Sequence, residues 1–102
     1  MMALMIEVKN QKKAEKITDY LLKNDLVFSS MILPSVIVKT REDNRVVENR
    51  QCLVISKTKA LLFEKVIDKM KAQFPECLVY GLPIAAMDWI KFEKLSADLR
   101  KV

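Results

Sequence analysis

The chemistry open to this chain is limited by a short roster of reactive side chains. It has no histidine and two cysteines, Cys52 and Cys77. Without imidazole it lacks the commonest general base and the commonest zinc ligand. Cys77 sits in the stretch QFPECLVYGLPI, two residues after Pro75 and beside Glu76. A thiolate and a neighbouring carboxylate are two donors for a borderline or soft divalent ion, and a subunit interface could multiply them. The alternative is packing: Cys77 opens an apolar run, where a small hydrophobe fills a buried strand. Cys52, between Gln51 and Leu53, is expected to be walled in by core or interface. Neither cysteine belongs to a CxxC pair, so the chain reads as two reduced thiols in a cytoplasmic protein.

Other catalytic constellations are missing. One glycine cannot build a glycine-rich phosphate loop. No serine or cysteine has a base near it in sequence, so nucleophilic catalysis is disfavoured and the protein is expected not to be an enzyme. The net charge is +5, with a pI near 9.3. Yet the lysines alternate with acids in KKAEK, FEKVIDKMK and KFEKL, as on solvated helix faces. The longest apolar run, Cys77 to Met87, falls short of the ~20 residues that span a bilayer.

The elements that must position these residues follow from periodicity. Ala3 to Val8 reads as a buried strand. Asn10 can cap a helix from Lys12 to Asn24, in which Ala14, Ile17 and Leu21 recur at helical spacing. Leu26 to Lys39 reads as a long strand that Pro34 must bend or hold at an edge. REDNR supplies a turn with Asn44 in the left-handed region, and Val46 to Ser56 returns as a strand. Thr58 is expected to cap a second helix, Lys59 to Gln73, with Phe63, Val66, Ile67 and Met70 on one face. Phe74-Pro75 stops it. Cys77 to Leu82 forms the fourth strand. Asp88 caps a last helix carrying Trp89, Phe92, Leu95 and Leu99.

The order predicts a single α+β domain over residues 1–102, a ferredoxin-like β-α-β-β-α-β sandwich with a long hairpin and an extra C-terminal helix. Both main helices should cover one face of an antiparallel sheet. The strands expected at its centre, ALMIEV and VVENRQCLVIS, hold no aromatic residue, which argues against base stacking and sequence-specific nucleic-acid binding. The hairpin arms are about twice the usual strand length. Such an apolar ribbon with open edges invites a second copy, so a homo-oligomer is expected.

Three segments together resemble the CutA divalent-cation-tolerance family. KAEKITDYLLKNDLVFSSMILP is similar to that family's first helix and second strand. VISKTKALLFEKVIDKMKAQFPE resembles its third strand and second helix, and LVYGLPIAAMDWIKF its Leu-Pro-Ile followed by an aromatic-rich last helix. The resemblance implies a non-enzymatic homotrimer associated with divalent-ion tolerance, and a divalent metal such as copper as its ligand. It also places this chain's departures. The family's metal-binding Cys and His fall at Ser29 and Phe74, its hairpin Trp at Glu42, and an acid of its third strand at Gln51. Phe cannot ligate a metal and Ser suits soft metals poorly, so the family metal site reads as dismantled. Cys77 and Glu76 are left as the weak metal candidates. The PII-type signalling proteins are similar in architecture and suggest the alternative, a sensing module that binds a small anionic ligand between subunits. In either reading the cleft would use Lys57 as an anion contact, Gln51 as a hydrogen-bonding group and Trp89 as an apolar wall.

Overall fold

The computed structural model of the chain describes residues 1–84. The expected last helix, with Trp89, lies outside them. Strand β1 (Met2–Val8), helix α1 (Gln11–Lys23), β2 (Ser29–Glu42), β3 (Arg45–Thr58), helix α2 (Phe63–Gln73) and β4 (Leu78–Pro83) follow in the anticipated order. They form one four-stranded sheet of order β2-β3-β1-β4, antiparallel throughout. This is the ferredoxin-like α+β arrangement.

Local signals set most of the element ends. The Asn10 side chain accepts from Lys13 N–H at 2.9 Å and starts α1. At the other end Leu26 N–H reaches Leu21 O at 3.0 Å, and Asp25 N–H reaches Leu22 O at 3.2 Å. Asp25 is left-handed, at φ 54°. This paired closure ends a helix and turns the next apolar residue inward. It corrects the strand start: Leu26 and Val27 are buried loop residues, 1% and 3% exposed, and β2 begins at Ser29.

The second helix also departs from expectation. Thr58 is not a cap, because its hydroxyl is fully buried and donates to Leu26 O at 2.6 Å. It ties the end of β3 to the loop before β2. A 3₁₀ turn, Ala60–Leu62, follows without a side-chain cap and leads into α2.

The helices share one face of the sheet. Leu4, Ile6 and Val8 of β1 pack with Ala14, Ile17 and Leu21 of α1, with Cys52 and Val54 of β3, and with Val66 and Met70 of α2. Gly81 of β4 lies on this side against the ring of Phe63. Alternation sends the odd residues of β1 to the opposite face. Pairing there builds rows across all four strands: Ser29–Lys57–Ala3–Leu82, Met31–Ile55–Met5–Tyr80 and Leu33–Leu53–Glu7–Leu78. Met31, Leu33, Leu78, Tyr80 and Leu82 stay 38–57% exposed. No described helix covers this apolar face.

The hairpin overhangs the body. β1 pairs with β3 only from Cys52 to Thr58, so Arg45 to Gln51 run on for about 23 Å at ~3.3 Å per residue. The radius of gyration is accordingly 14.7 Å, against about 13 Å for a compact domain of 100 residues. Asp43 and Asn44, at φ 47° and 63°, close the tip, as a two-residue turn with both centres left-handed requires. A bulge between Leu33 and Val36 takes up one extra residue. It keeps Val36 and Val38 on the same face as Leu33, which simple alternation would not. Pro34 belongs to the bulge, on the edge strand, where its missing N–H costs little.

Candidate functional site

The Glu76–Cys77 corner forms where α1 and the foot of β4 meet. Lys13, in the first turn of α1, makes an ion pair with Glu76. A hydrogen bond from Lys13 is the main cause that holds the Glu76 carboxyl below its ordinary range, helped by a backbone contact and opposed by partial desolvation. Cys77 N–H donates to Phe74 O at 3.2 Å and closes the turn after α2. The half-buried Cys77 lines an apolar crevice of about 230 Å³ with Ile67, Met70, Phe74 and Val79. Burial pushes its thiol up, the Glu76 carboxylate adds to the rise, and Lys13 offsets part of it. The thiol is therefore protonated at neutral pH and must lose that proton to bind a metal. Cys52 is 3% exposed and donates to Pro34 O at 3.2 Å, which secures the bulge. Among the described residues no three His, Cys, Asp or Glu side chains come together.

The positions matched to the family are scattered. Ser29 opens β2 opposite Lys57, and Glu42 ends the same strand opposite Arg45. Phe74 caps α2 and packs edge-to-face on Tyr20, with ring centroids 5.9 Å apart.

Lys57 and Gln51 share the open face of β3. Six residues separate them, about 20 Å along a strand, so one chain does not bring them together. A cleft that uses both takes them from different copies. Trp89 lies outside the described residues.

The structure instead gathers Gln51 with Glu76. β1 ends at Val8, opposite Cys52, while β3 continues and β4 begins nearby. The resulting notch is an open cleft of about 370 Å³, lined by Glu7, Lys9, Asn49, Arg50, Gln51, Glu76 and Leu78. Arg50 donates to Ser35 Oγ at 3.1 Å. Tyr80 donates a long 3.4 Å hydrogen bond to Glu7. The ion pairs among the described residues, Lys13–Glu76 and Lys39–Glu48, do not include Glu7, Lys9 or Arg50. Sequence reading missed Glu7, Lys9 and Arg50. The one available signal was that a seven-residue β1 beside a 14-residue β3 must leave a gap.

No protein-family profile matches the sequence, and no curated protein does. Solved structures do match over nearly the whole chain. CutA1 from Oryza sativa superposes with a TM-score of 0.88 at 19% identity, covering 99% of this chain and 94% of that one. The fold is the CutA fold. The divalent cation tolerance protein (Cut A1) of Thermus thermophilus gives 0.85 at 24% identity, covering 98% of this chain and 100% of that one. The periplasmic divalent cation tolerance protein CutA of Archaeoglobus fulgidus gives 0.83 at 17%, with coverage of 98% and 100%. At such identities the likeness establishes the CutA fold, and the site is argued from this chain's own residues. No described helix is long and apolar enough to cross a membrane.

Proposed function

We propose that the chain acts as a non-catalytic, homotrimeric CutA-like protein with a role in divalent-cation tolerance. The observation that carries this reading is the open sheet face. Three cross-strand rows of mostly apolar side chains, plus the Val36–Val38 extension, have no described helix over them. The described residues of a single copy leave that surface uncovered, at roughly 25 cal/mol for each Å² of apolar area. Among the described strands β2 and β4 are also the sheet's edges, and closed assembly covers edges and face together. The role in cation tolerance comes by likeness of fold to proteins so described.

The donors of this chain support a role without tight metal capture. Ser29 and Phe74 stand at the positions matched to the family's ligands, the Cys77 thiol is held protonated, and Glu76 is engaged by Lys13. The free thiols Cys52 and Cys77 suit the reducing cytoplasm. Residues 1–102 serve as one domain.

The test is a double variant, Met31→Glu with Leu33→Glu, on the open face of the edge strand. Both side chains are solvent-accessible in one copy, so the fold tolerates the change. The variant should keep its circular dichroism and fall from three times the 11.8 kDa chain mass to one. A variant that still assembles as a trimer would overturn the reading.

A further inference from the structure

We propose that the crevice between α2 and the foot of β4 seats this chain's own C-terminal segment, residues 85–102, with Leu95 and Leu99 against Val79 and Cys77. The crevice belongs to the helix side of the sheet. Val79 pairs with the buried Ile6, and Phe74, Cys77 and Val79 pack at the margin of the core. A segment seated here does not compete with copies that cover the opposite face. α2 meets β4 closely at one end only, where Phe63 stands against Gly81. Toward the other end Ile67, Met70 and Phe74 stand off from Cys77 and Val79 and leave about 230 Å³. Lys71 is the one charged group in the lining. Such a lining offers water few partners and suits apolar side chains.

The point where the chain leaves the described body selects the occupant. Ile84 N–H donates to Met1 O at 3.1 Å, which fixes the exit at the far end of β4. From Ile84 back to Cys77 is about 23 Å at ~3.3 Å per residue. Asp88 to Val102, read as a helix from its apolar spacing, is about 22 Å long at ~1.5 Å per residue. After a turn at 85–87 it can run back beside α2 as far as the crevice. The sequence also supplies the face that this seat needs. At about 100° per residue, Trp89, Phe92, Leu95 and Leu99 fall within an arc of about 120°. Lys91, Lys94, Asp98 and Lys101 lie on the other side. Leu95 and Leu99 are the pair that this length carries to Val79 and Cys77.

The experiment is disulfide trapping in the full chain. Leu95→Cys and Leu99→Cys are each treated with diamide, which oxidises two neighbouring thiols to a disulfide and takes up their two hydrogens. A disulfide needs Cα atoms about 4.4–6.8 Å apart, so a link to Cys77 forms only if the segment lies over the crevice. Non-reducing mass spectrometry should show at least one of the two variants as a single chain linked within itself at Cys77. Lys94→Cys, on the other side of the helix, should stay reduced. A second measurement needs no new thiol. Ile67→Lys changes a half-buried wall of the crevice. It should speed Cys77 alkylation about tenfold or more, the factor that exposing one leucine side chain implies. It should also move the emission of Trp89, the only tryptophan, to longer wavelength. The proposal is overturned if neither leucine variant links to Cys77, or if Lys94→Cys links as readily. Links that join two chains would overturn it as well, by putting a second copy in the crevice. So would unchanged Cys77 alkylation and Trp89 emission in Ile67→Lys.

Discussion

The only glycine, Gly81, makes a sharp test of how β4 meets α2. A Cβ at this position would stand 2.6 Å from Phe63 Cε1, 2.7 Å from Met2 Sδ and 3.1 Å from Phe63 Cδ1. Met2 ends in a flexible thioether and can swing aside. The Phe63 ring cannot do so as easily, because it begins α2 and packs on the core. An ordinary carbon contact lies near 3.5–4.0 Å, so the ring must retreat by about 1 Å. Overpacking of this kind costs about 1–3 kcal/mol. For a domain of this size that lowers Tm by roughly 4–8 °C per kcal/mol. Gly81→Ala should therefore melt roughly 5–20 °C below the parent, measured by circular dichroism at one fixed protein concentration because assembly adds to apparent stability. Phe63→Leu removes the ring edge, so Gly81→Ala should cost less in that background, with a coupling of about 1 kcal/mol or more. If Gly81→Ala melts with the parent, or the two changes simply add, the close approach is not what demands glycine here.

Three further outcomes follow from the Glu76–Cys77 corner. Alkylation of Cys77, followed by peptide mapping across pH, should titrate above the ~8.5 of an ordinary thiol. Lys13→Gln should move that midpoint up and Glu76→Gln should move it down; a midpoint at or below a free thiol's contradicts the burial argument. The Glu76 carboxyl is held down in the folded state, so its share of stability is present above the ordinary carboxylate range and is lost as pH falls through its lowered value. Glu76→Gln should flatten that part of the acid-unfolding curve, and an unchanged curve would show the Lys13 pair to be idle. Untagged protein dialysed against copper or zinc should retain no stoichiometric metal, and about one tightly held ion per chain or per trimer, found by elemental analysis, would refute this.

What was legible in the sequence was local. Asn10 carries its own capping oxygen, Asn44 tolerates a left-handed turn, and the Phe74-Pro75 step cannot stay helical; each marks an element end within a few residues of itself. The features that escaped either lack the usual residue signal or depend on partners distant in sequence. Asp25 closes α1 where a glycine would usually stand. Thr58 resembles a cap but is claimed by Leu26 O, 32 residues away. The bulge at Pro34 shows itself only once Val36 is paired with Gln51. The site divides the same way. Glu76 and Cys77 are neighbours in sequence and stay neighbours. Lys57 and Gln51 share a strand and a face, yet strand rise alone holds them apart. The notch uses Glu7, Lys9 and Arg50, which no sequence spacing connects, because it exists only where one strand ends beside a longer one.

The central claim is that the open sheet face is covered by copies of the same chain. Its most direct test is the absolute mass of untagged protein by multi-angle light scattering across a dilution series. The account predicts a single species at three times 11.8 kDa, constant over the series. A stable single-copy mass would contradict it, as would a mass that climbs without limit as concentration rises.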